Sequence, residues 1–244
     1  NSLCNNGKWF PENHYHNSCE VYFLESGECD YFIDDKIYHM LPGDMVVIGG
    51  NIIHNTVYGE KVCSRMLINC SKKHIPIDVS RVLFFRNLAK KDEISHIFSR
   101  IREEYKSKNQ FSEEIVTCYI RLLMLIAAGS ENMYTQPVKH SYIEEVAEYI
   151  KNNLDCEVTL SKVAARFSVS AGHLSRQFKK DTGFTFSEYL DLIRLKKAEE
   201  MLLYGKKETI TQIAHMCGFG DSNYFSVKFK KIYGVSPLKW KNRK

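Results

Sequence analysis

The sequence lacks the features that mark several large classes of protein. It contains eight cysteines but no Cys-x-x-Cys pair and no zinc-finger spacing, which argues against a structural metal module. Its longest apolar stretch, LLMLIAA at 122–128, is too short to span a bilayer, and no signal peptide is recognisable. We therefore expect a soluble, cytoplasmic protein without a membrane partner, whose cysteines are reduced and mostly buried.

Acidic residues become scarce toward the end of the chain. Residues 1–138 contain 15 Lys+Arg and 17 Asp+Glu, whereas residues 139–244 contain 19 and 12. The last 23 residues, from Ser222, include seven basic residues and no acidic one. This asymmetry predicts a basic module that binds a polyanion, joined to a near-neutral module with another task.

The apolar periodicity changes along the chain. Up to about Asn69, short runs rich in Val, Ile, Tyr and Phe alternate with turn signals, which predicts strands of a small barrel or sandwich. Beyond about Asp78 the period is helical. The predicted class is α+β multidomain, with an N-terminal β-barrel followed by two helices and an all-α C-terminal domain. The predicted segments are a barrel at 1–75, a helical segment at 76–130, a linker at 131–140 and a helical domain at 141–244.

A pattern is repeated within the helical domain. The predicted helices there lie at about 141–154, 159–167, 171–180, 185–204, 209–216 and 222–232. The first part of the repeat has an offset of 50 residues and matches Leu160, Val163 and Ala164 to Ile210, Ile213 and Ala214. The second part has an offset of 51 residues and matches Leu174, Phe178, Lys179, Lys180 and Gly183 to Phe225, Phe229, Lys230, Lys231 and Gly234. One residue is therefore inserted in the second turn. Each copy predicts a helix-turn-helix, whereas the alternative is a generic helical bundle with solvated lysines.

The second helix of each copy has an outward stripe opposite its apolar anchors. The two stripes are Gly172, Ser175, Arg176 and Lys179, then Asn223, Ser226, Val227 and Lys230. An arginine such as Arg176 can bond a guanine edge with two hydrogen bonds, and Asn223 can do the same for adenine. Lys179 and Lys230 suit phosphates, which supply affinity without reading sequence.

These segments also resemble a known family. LSKVAARFSVSAGHLSRQFKKDTGFTFSEYL and ITQIAHMCGFGDSNYFSVKFKKIYGVSPLKW are similar to the C-terminal domain of AraC/XylS-type transcription regulators, over about residues 141–243. The resemblance implies two helix-turn-helix units joined by a long helix at about 187–204, with both recognition helices in successive major-groove turns of double-stranded DNA. The implied groove-facing residues are Gly172, Ser175, Arg176, Ser222, Asn223, Ser226 and Val227. Gly172 and Val227 depart from the larger side chain and the arginine often found at these positions, and valine there suits a thymine methyl group.

The N-terminal stretch HYHNSCEVYFLESG resembles the first motif of cupin barrels, in which His and Glu side chains bind one divalent metal ion. The implied ligands are His14, His16, Glu20 and His54. The second cupin motif departs from the pattern at Gly49, Asn51 and Tyr58. The alternative is that these residues line a pocket without metal, and no other cofactor is expected. The expected effector is a small molecule such as a sugar, and its candidate contacts are Trp9, His14, His16, Glu20, Tyr22 and His54.

The resemblance further implies a homodimer, and RNA polymerase as a partner if the protein activates transcription. The helices at 92–133 lie where relatives carry dimerisation helices, so Ile115, Tyr119, Leu122 and Leu123 either pack on a second copy or cover the open side of the barrel. The predicted function is a ligand-responsive, DNA-binding transcription regulator and not an enzyme. Two alternatives are a metal-dependent cupin enzyme and a ligand-independent architectural DNA binder.

Overall fold

The chain divides into two compact units. A computed structural model describes residues 18–59, 62–80, 82–107, 109–129, 133–134, 141–154, 158–204 and 208–243. The first unit comprises residues 1–31 and 38–139, and the second comprises Phe32–Ile37 together with residues 140–244. Among the described helices, none combines the length and the apolar character that a membrane span requires.

The strands belong mainly to the first unit, although two of them include residues of the segment Phe32–Ile37. The described strands are β1 (Cys19–Ser26), β2 (Cys29–Ile33), β3 (Lys36–Met40), β4 (Met45–Ile48), β5 (His54–Tyr58), β6 (Ser64–Cys70), β7 (Leu83–Phe85) and β8 (Met133–Tyr134). They form a five-stranded sheet in the order β6-β1-β4-β7-β8 and a three-stranded sheet in the order β3-β2-β5. The predicted sheet-rich domain is thus confirmed, and its described strands pair as two sheets rather than as one closed ring.

Strand β1 lies at the centre of this unit. It pairs with β4 on one side and β6 on the other, and its first six residues are all buried. Because side chains alternate along a strand, Val21 and Phe23 face the opposite way from Glu20 and Tyr22. Val21 and Phe23 belong to the core under the helices, where Phe23 stacks on Phe98 at 6.0 Å between ring centroids.

Two helices complete the first unit, α1 (Lys91–Ser107) and α2 (Ser112–Ala128). The buried face of α1 consists of Ile94, Ile97, Phe98 and Ile101, as its periodicity predicts. The same spacing of three and four residues continues to Tyr105, but this side chain is 41% exposed. Both helices bury their apolar faces against the five-stranded sheet, so covering the sheet is one of their roles.

The second unit is helical, as predicted. Its helices are α3 (Tyr142–Asn152), α4 (Leu160–Arg166), α5 (Ala171–Thr182), α6 (Phe186–Tyr204), α7 (Ile210–Met216), α8 (Ser222–Tyr233) and α9 (Pro237–Lys241). Polar N-caps explain several of the starts: the Ser141 side chain accepts a hydrogen bond from the Ile143 N–H, and Thr159 accepts one from the Lys162 N–H. Helix α9 was not predicted, although Ser236 caps it and Pro237 opens it.

The sequence repeat is also a structural repeat. Gly183 and Gly234 end α5 and α8 in the same left-handed conformation, with φ of 75° at both. Ser168 and Gly218, 50 positions apart, both have positive φ in the turn between the paired helices, at 56° and 84°. The additional residue of the second copy is Gly220, which has no neighbour close to where a Cβ would stand.

The short segment Phe32–Ile37 contributes to the core of the second unit. The Phe32 ring lies against Tyr189 at 5.6 Å between centroids, and the Tyr189 hydroxyl donates to the Asp34 carbonyl oxygen at 2.9 Å. The Ile37 N–H donates to the Glu144 carboxylate at 2.6 Å. This bond accounts for a glutamate that is only 3% exposed, because a buried carboxylate requires a donor.

Candidate nucleic-acid interface and effector site

Helices α5 and α8 are held by equivalent buried anchors. Leu174 and Phe178 of α5, and Phe225 and Phe229 of α8, are each 0% exposed. Anchors one helical turn apart define the inner face of a helix, so they also determine which residues point outward.

The outward stripes of the two helices have matching exposure. Gly172 and Asn223 are exposed, Ser175 and Ser226 are half-buried, Arg176 and Val227 are exposed, and Lys179 and Lys230 are exposed. Ser222, the remaining predicted DNA contact, is half-buried at the start of α8. The structure therefore brings the predicted DNA-facing residues of each copy together on one helix face.

The side chains within the stripes differ in what they offer a base pair. In the described part of the chain, Arg176, Lys179 and Lys230 take part in no ion pair, so their donors face solvent. The Ser226 hydroxyl donates to the Ser222 carbonyl oxygen at 2.8 Å, which leaves it mainly as an acceptor. Val227 is 69% exposed and offers only apolar surface.

Packing does not require the glycine at position 172. A Cβ added there would contact only the Arg176 Nη1 atom, at 3.5 Å. The small residue leaves open space beside Arg176, which allows its guanidinium to lie close to the helix backbone.

The basic C-terminal cluster is partly engaged in local contacts. The Lys241 ammonium donates to the Glu208 carbonyl oxygen at 2.6 Å, and the Arg243 guanidinium lies 4.6 Å from the Trp240 ring centroid. Lys239 is exposed. The basic residues that follow Ser222 therefore include two, Lys241 and Arg243, that also hold the end of the chain in place.

A buried polar cluster lies on the other side of β1, centred on Glu20. The Glu20 carboxylate accepts a hydrogen bond from the Tyr31 hydroxyl, and its Oε2 atom lies 3.5 Å from the His54 Nε2 atom. The His54 Nδ1 atom is 2.7 Å from the Ile52 carbonyl oxygen, to which it donates. Glu20 and His54 are each 3% exposed, so this carboxylate depends on protein donors.

The two ring systems beside Glu20 titrate unusually. Burial lowers the pKa of His54, but the Glu20 charge and the hydrogen bonds to Glu20 and Ile52 outweigh burial and raise that pKa above its ordinary value. Burial, followed by the Glu20 charge, raises the pKa of Tyr31 well above the usual tyrosine value. The Glu20 charge thus favours the protonated form of His54, and burial favours the neutral form of the Tyr31 phenol.

Three of the predicted effector contacts come together in this cluster. Tyr22 lies 5.0 Å from Tyr31 between ring centroids, so it joins Glu20 and His54. Trp9, His14 and His16 lie outside the described residues. Of the four predicted metal ligands, the described part of the chain thus contains Glu20 and His54, and it brings no three potential ligands together.

A groove that the sequence did not indicate lies between β6, α1 and α2. Its volume is about 540 Å³, and its polar lining includes His74 and Thr117, joined by a 2.8 Å hydrogen bond. Tyr105, which follows the buried face of α1 in spacing but is exposed, also lines it. Because the lining residues come from separate elements, no local pattern could have identified them.

Comparison with known proteins agrees with this arrangement. Residues 2–124 match the family profile of the AraC-like ligand binding domain, and residues 163–243 match that of a helix-turn-helix domain. The chain belongs to the AraC family. It is accordingly a DNA-binding transcription regulator with a ligand-binding domain, and not an enzyme.

Several AraC-family relatives are similar over most of the chain. The HTH-type transcriptional activator RhaS of Pectobacterium carotovorum is 25% identical, covering 93% of this chain and 86% of the relative. The HTH-type transcriptional activator RhaR of Mannheimia succiniciproducens is 24% identical, covering 94% and 87%. Among solved structures, the C-terminal domain of the response regulator yesN from Fusobacterium nucleatum is 35% identical over 42% of this chain and all of that one, with a TM-score of 0.39.

The Glu20 cluster generates a stability prediction. Tyr31→Phe removes a donor from a buried carboxylate and should lower the free energy of unfolding by about 1–3 kcal/mol. Tyr22→Phe is the matched control, because Tyr22 is equally buried but, among the described residues, its hydroxyl contacts only the Cys29 sulfur, at 3.4 Å. Its loss should therefore stay below about 1 kcal/mol. Urea unfolding of both variants measures the difference, and equal losses would contradict the role assigned to Glu20.

Proposed function

We propose that α5 and α8 are the two recognition helices and that they read successive major-groove segments of one DNA site. The matched exposure of their outward stripes is the observation that supports this most directly. In this proposal, Arg176 and Asn223 contact base edges, because guanidinium and amide groups form paired hydrogen bonds with guanine and adenine. Ser175, Ser222 and Ser226 border these contacts.

The remaining stripe residues take two other roles. Lys179 and Lys230 lie at the C-terminal ends of α5 and α8, where they bind phosphates and set the register of the protein on the duplex. Val227 packs against a thymine methyl group, since its exposed side chain has no hydrogen-bonding atom. Gly172 leaves the room that Arg176 needs to approach the groove.

Arg176→Ala and Lys230→Ala should weaken DNA binding in different ways. Arg176→Ala should cost about 1–3 kcal/mol on the preferred site and relax one base position, because it removes a base contact. Lys230→Ala should weaken binding to every sequence and reduce the salt slope by about one, because it removes a phosphate contact.

Site selection from random duplexes, followed by titrations at several salt concentrations, measures both effects. Lys106→Ala, which removes an exposed charge from α1 in the other unit, serves as the control and should change neither quantity. If Arg176→Ala binds the selected site and unrelated DNA in the same ratio as the parent protein, the assigned base contact is wrong.

We further propose that the effector is a polyhydroxylated small molecule, a sugar or related metabolite, bound at the Glu20 cluster. Glu20, Tyr31 and His54 supply donors and acceptors, and the Tyr22 ring supplies a stacking surface. Asn69 pairs directly with Glu20 across β1 and β6, and its side-chain oxygen is buried with no hydrogen-bond partner among the described residues. A ligand hydroxyl would satisfy that acceptor. Effector binding then changes operator affinity, and couplings of this kind are typically ~1–3 kcal/mol.

Thermal unfolding of the full chain against a panel of sugars, with and without EDTA, tests the effector proposal. A ligand at a hundred times its dissociation constant should add about 2.7 kcal/mol of stability. We expect a sugar to stabilise the parent and Thr117→Val, which alters the groove, but not Glu20→Gln. If the sugar fails to stabilise the Thr117→Val variant and still stabilises the others, the binding site is the groove and not the Glu20 cluster. A shift that EDTA abolishes would instead favour the metal site and a metal-dependent activity.

We also propose a homodimer formed through the outer face of α2. Phe111, Ile115, Cys118, Leu122 and Leu125 follow one another at spacings of four, three, four and three, the pattern of a coiled-coil seam. Phe111, Leu122 and Leu125 are 60%, 45% and 60% exposed. Of the residues that the sequence suggested, Ile115 and Leu122 lie on this seam.

Leu123 and Tyr119 do not belong to that face. Leu123 is 0% exposed within the core of its own unit, and Tyr119 packs partly against the same core while its hydroxyl accepts from Arg100. A second copy is the proposed occupant of the seam because its spacing is self-complementary for two helices.

Leu122→Glu combined with Leu125→Glu should convert the dimer into a monomer, since it places charges in an apolar seam. Sedimentation equilibrium measures the mass directly. Lys106→Glu, an exposed change on α1, should leave the dimer intact. A parent protein that is monomeric at tens of micromolar, or a variant that stays dimeric, would contradict the proposal.

Finally, we propose that the protein activates transcription in the cytoplasm, with RNA polymerase as its partner. The relatives RhaS and RhaR are described as transcriptional activators. An activator bound at a promoter acts where the polymerase and the DNA are both present, which supports the cytoplasm as its location.

A further inference from the structure

A carboxylate on the helix that precedes the second helix-turn-helix binds one side of α8. Asp191 of α6 accepts a hydrogen bond from the Tyr224 hydroxyl at 2.8 Å and forms an ion pair with the Lys228 ammonium at 3.1 Å. The Asp191 side chain is 15% exposed and that of Lys228 is 35% exposed. The pair is thus partly shielded from solvent, so salt screens it less than an exposed pair.

Tyr224 and Lys228 lie one helical turn apart, on the flank of α8 next to its outward stripe. Phe225 and Phe229 already hold the back of the helix. A contact on the flank adds a second constraint, which opposes rotation of α8 about its own axis. Rotation of that kind would carry Asn223 away from the base edges.

The contacts of Lys228 also keep its charge occupied. Its ammonium lies 5.1 Å from the Tyr224 ring centroid as well as beside Asp191. Hydrogen bonding to Tyr224, and then to Asp191, raises the pKa of Lys228 despite partial burial, so the cation persists. A lysine held in this way does not extend toward phosphates.

In the first helix-turn-helix, different contacts hold the matching flank of the second helix. The positions that match Tyr224 and Lys228 there are His173 and Gln177. The His173 ring stacks on Tyr142 of α3 at 6.4 Å. The Gln177 amide donates at 2.9 Å to Asp181 of the same helix, and Asp181 accepts at 3.1 Å from the hydroxyl of Ser141, the residue that caps α3. Both recognition helices are therefore held on the same flank, and in the second the flank contact is an ion pair.

We propose that Asp191 is a positioning residue for DNA recognition, which fixes the rotation of α8 and withholds Lys228 from the phosphates. This rests on the proposed function in one respect, namely that α8 reads bases. Asp191 itself touches no base in the proposal, because it acts through Tyr224 and Lys228.

Titration of the full chain against its selected site and an unrelated duplex, at several salt concentrations, tests this role. Asp191→Ala should lower affinity for the selected site about five- to tenfold, while affinity for the unrelated duplex holds or rises. Its salt slope should become steeper by about one, because Lys228 is released to contact a phosphate. Adding Lys228→Met to Asp191→Ala should return the slope to the parent value.

Two further variants separate the effect of the Asp191 charge from the effect of its packing. Asp191→Asn keeps an acceptor for Tyr224 but removes the charge, so it should steepen the slope with a smaller loss on the selected site. Glu200→Ala removes the same charge from an exposed position on the same helix and should change neither quantity. Because Asp191→Asn is nearly isosteric, it also provides the test if Asp191→Ala unfolds.

The proposal is overturned if the slope stays at the parent value in both Asp191 variants, or if the steeper slope survives Lys228→Met. Asn223→Ala distinguishes this from failure of the proposed function. If Asn223→Ala leaves the ratio of selected to unrelated affinity unchanged, α8 does not read bases and the proposed function is wrong. If Asn223→Ala lowers that ratio but the Asp191 variants do not, α8 reads bases and the role assigned to Asp191 is wrong.

Discussion

Burial of two apolar side chains one helical turn apart is the constraint on which each proposed recognition helix depends. Phe225 and Phe229 leave α8 one inner face, as Leu174 and Phe178 do for α5. A fully buried phenylalanine contributes roughly 1.5–3 kcal/mol, so each pair outweighs any single polar contact on the helix. Capping, the left-handed turns and the flank contacts refine an orientation that this burial has already set.

The ligand-binding unit depends on a different constraint, a carboxylate in an apolar setting. Burying a charge is costly unless donors surround it, and Glu20 obtains them from Tyr31 and His54. A ligand that entered this cluster would have to offer Glu20 donors at least as good. In the proposed site, the same requirement would favour hydroxyl-rich molecules over apolar ones, and it would connect the stability of the unit to the identity of its effector.

The helical unit could be predicted from sequence to within one or two residues at most helix ends. Its signals are local: the i, i+4 anchors, the Ser141 and Thr159 caps and the glycines that end α5 and α8. The outward stripes of α5 and α8 follow from the same periodicity. Helix α9 was missed because it is only five residues long, which is too short for a helical spacing of apolar residues to be recognised.

The missing parts of the prediction are contacts between residues far apart in sequence. Glu144 meets the Ile37 N–H across 107 positions, so nothing local marks it as buried. In the sequence, nothing distinguishes Asp191 from other polar residues of α6, because its hydrogen-bond and ion-pair partners lie on α8. Strand pairing has the same character, which is why the sequence indicated a barrel and the described strands form two sheets.

The exposed valine at position 227 has a consequence for the heat of DNA binding. In the free protein, water must surround this apolar side chain, which is 69% exposed in a stripe whose other members, Asn223, Ser226 and Lys230, are polar or basic. Contact with a thymine methyl group would release that water. Binding would then carry a negative heat-capacity change in addition to the counterion release that the lysines produce. The two proposed recognition helices would accordingly contribute to affinity with different temperature dependences, even though their backbones follow one pattern.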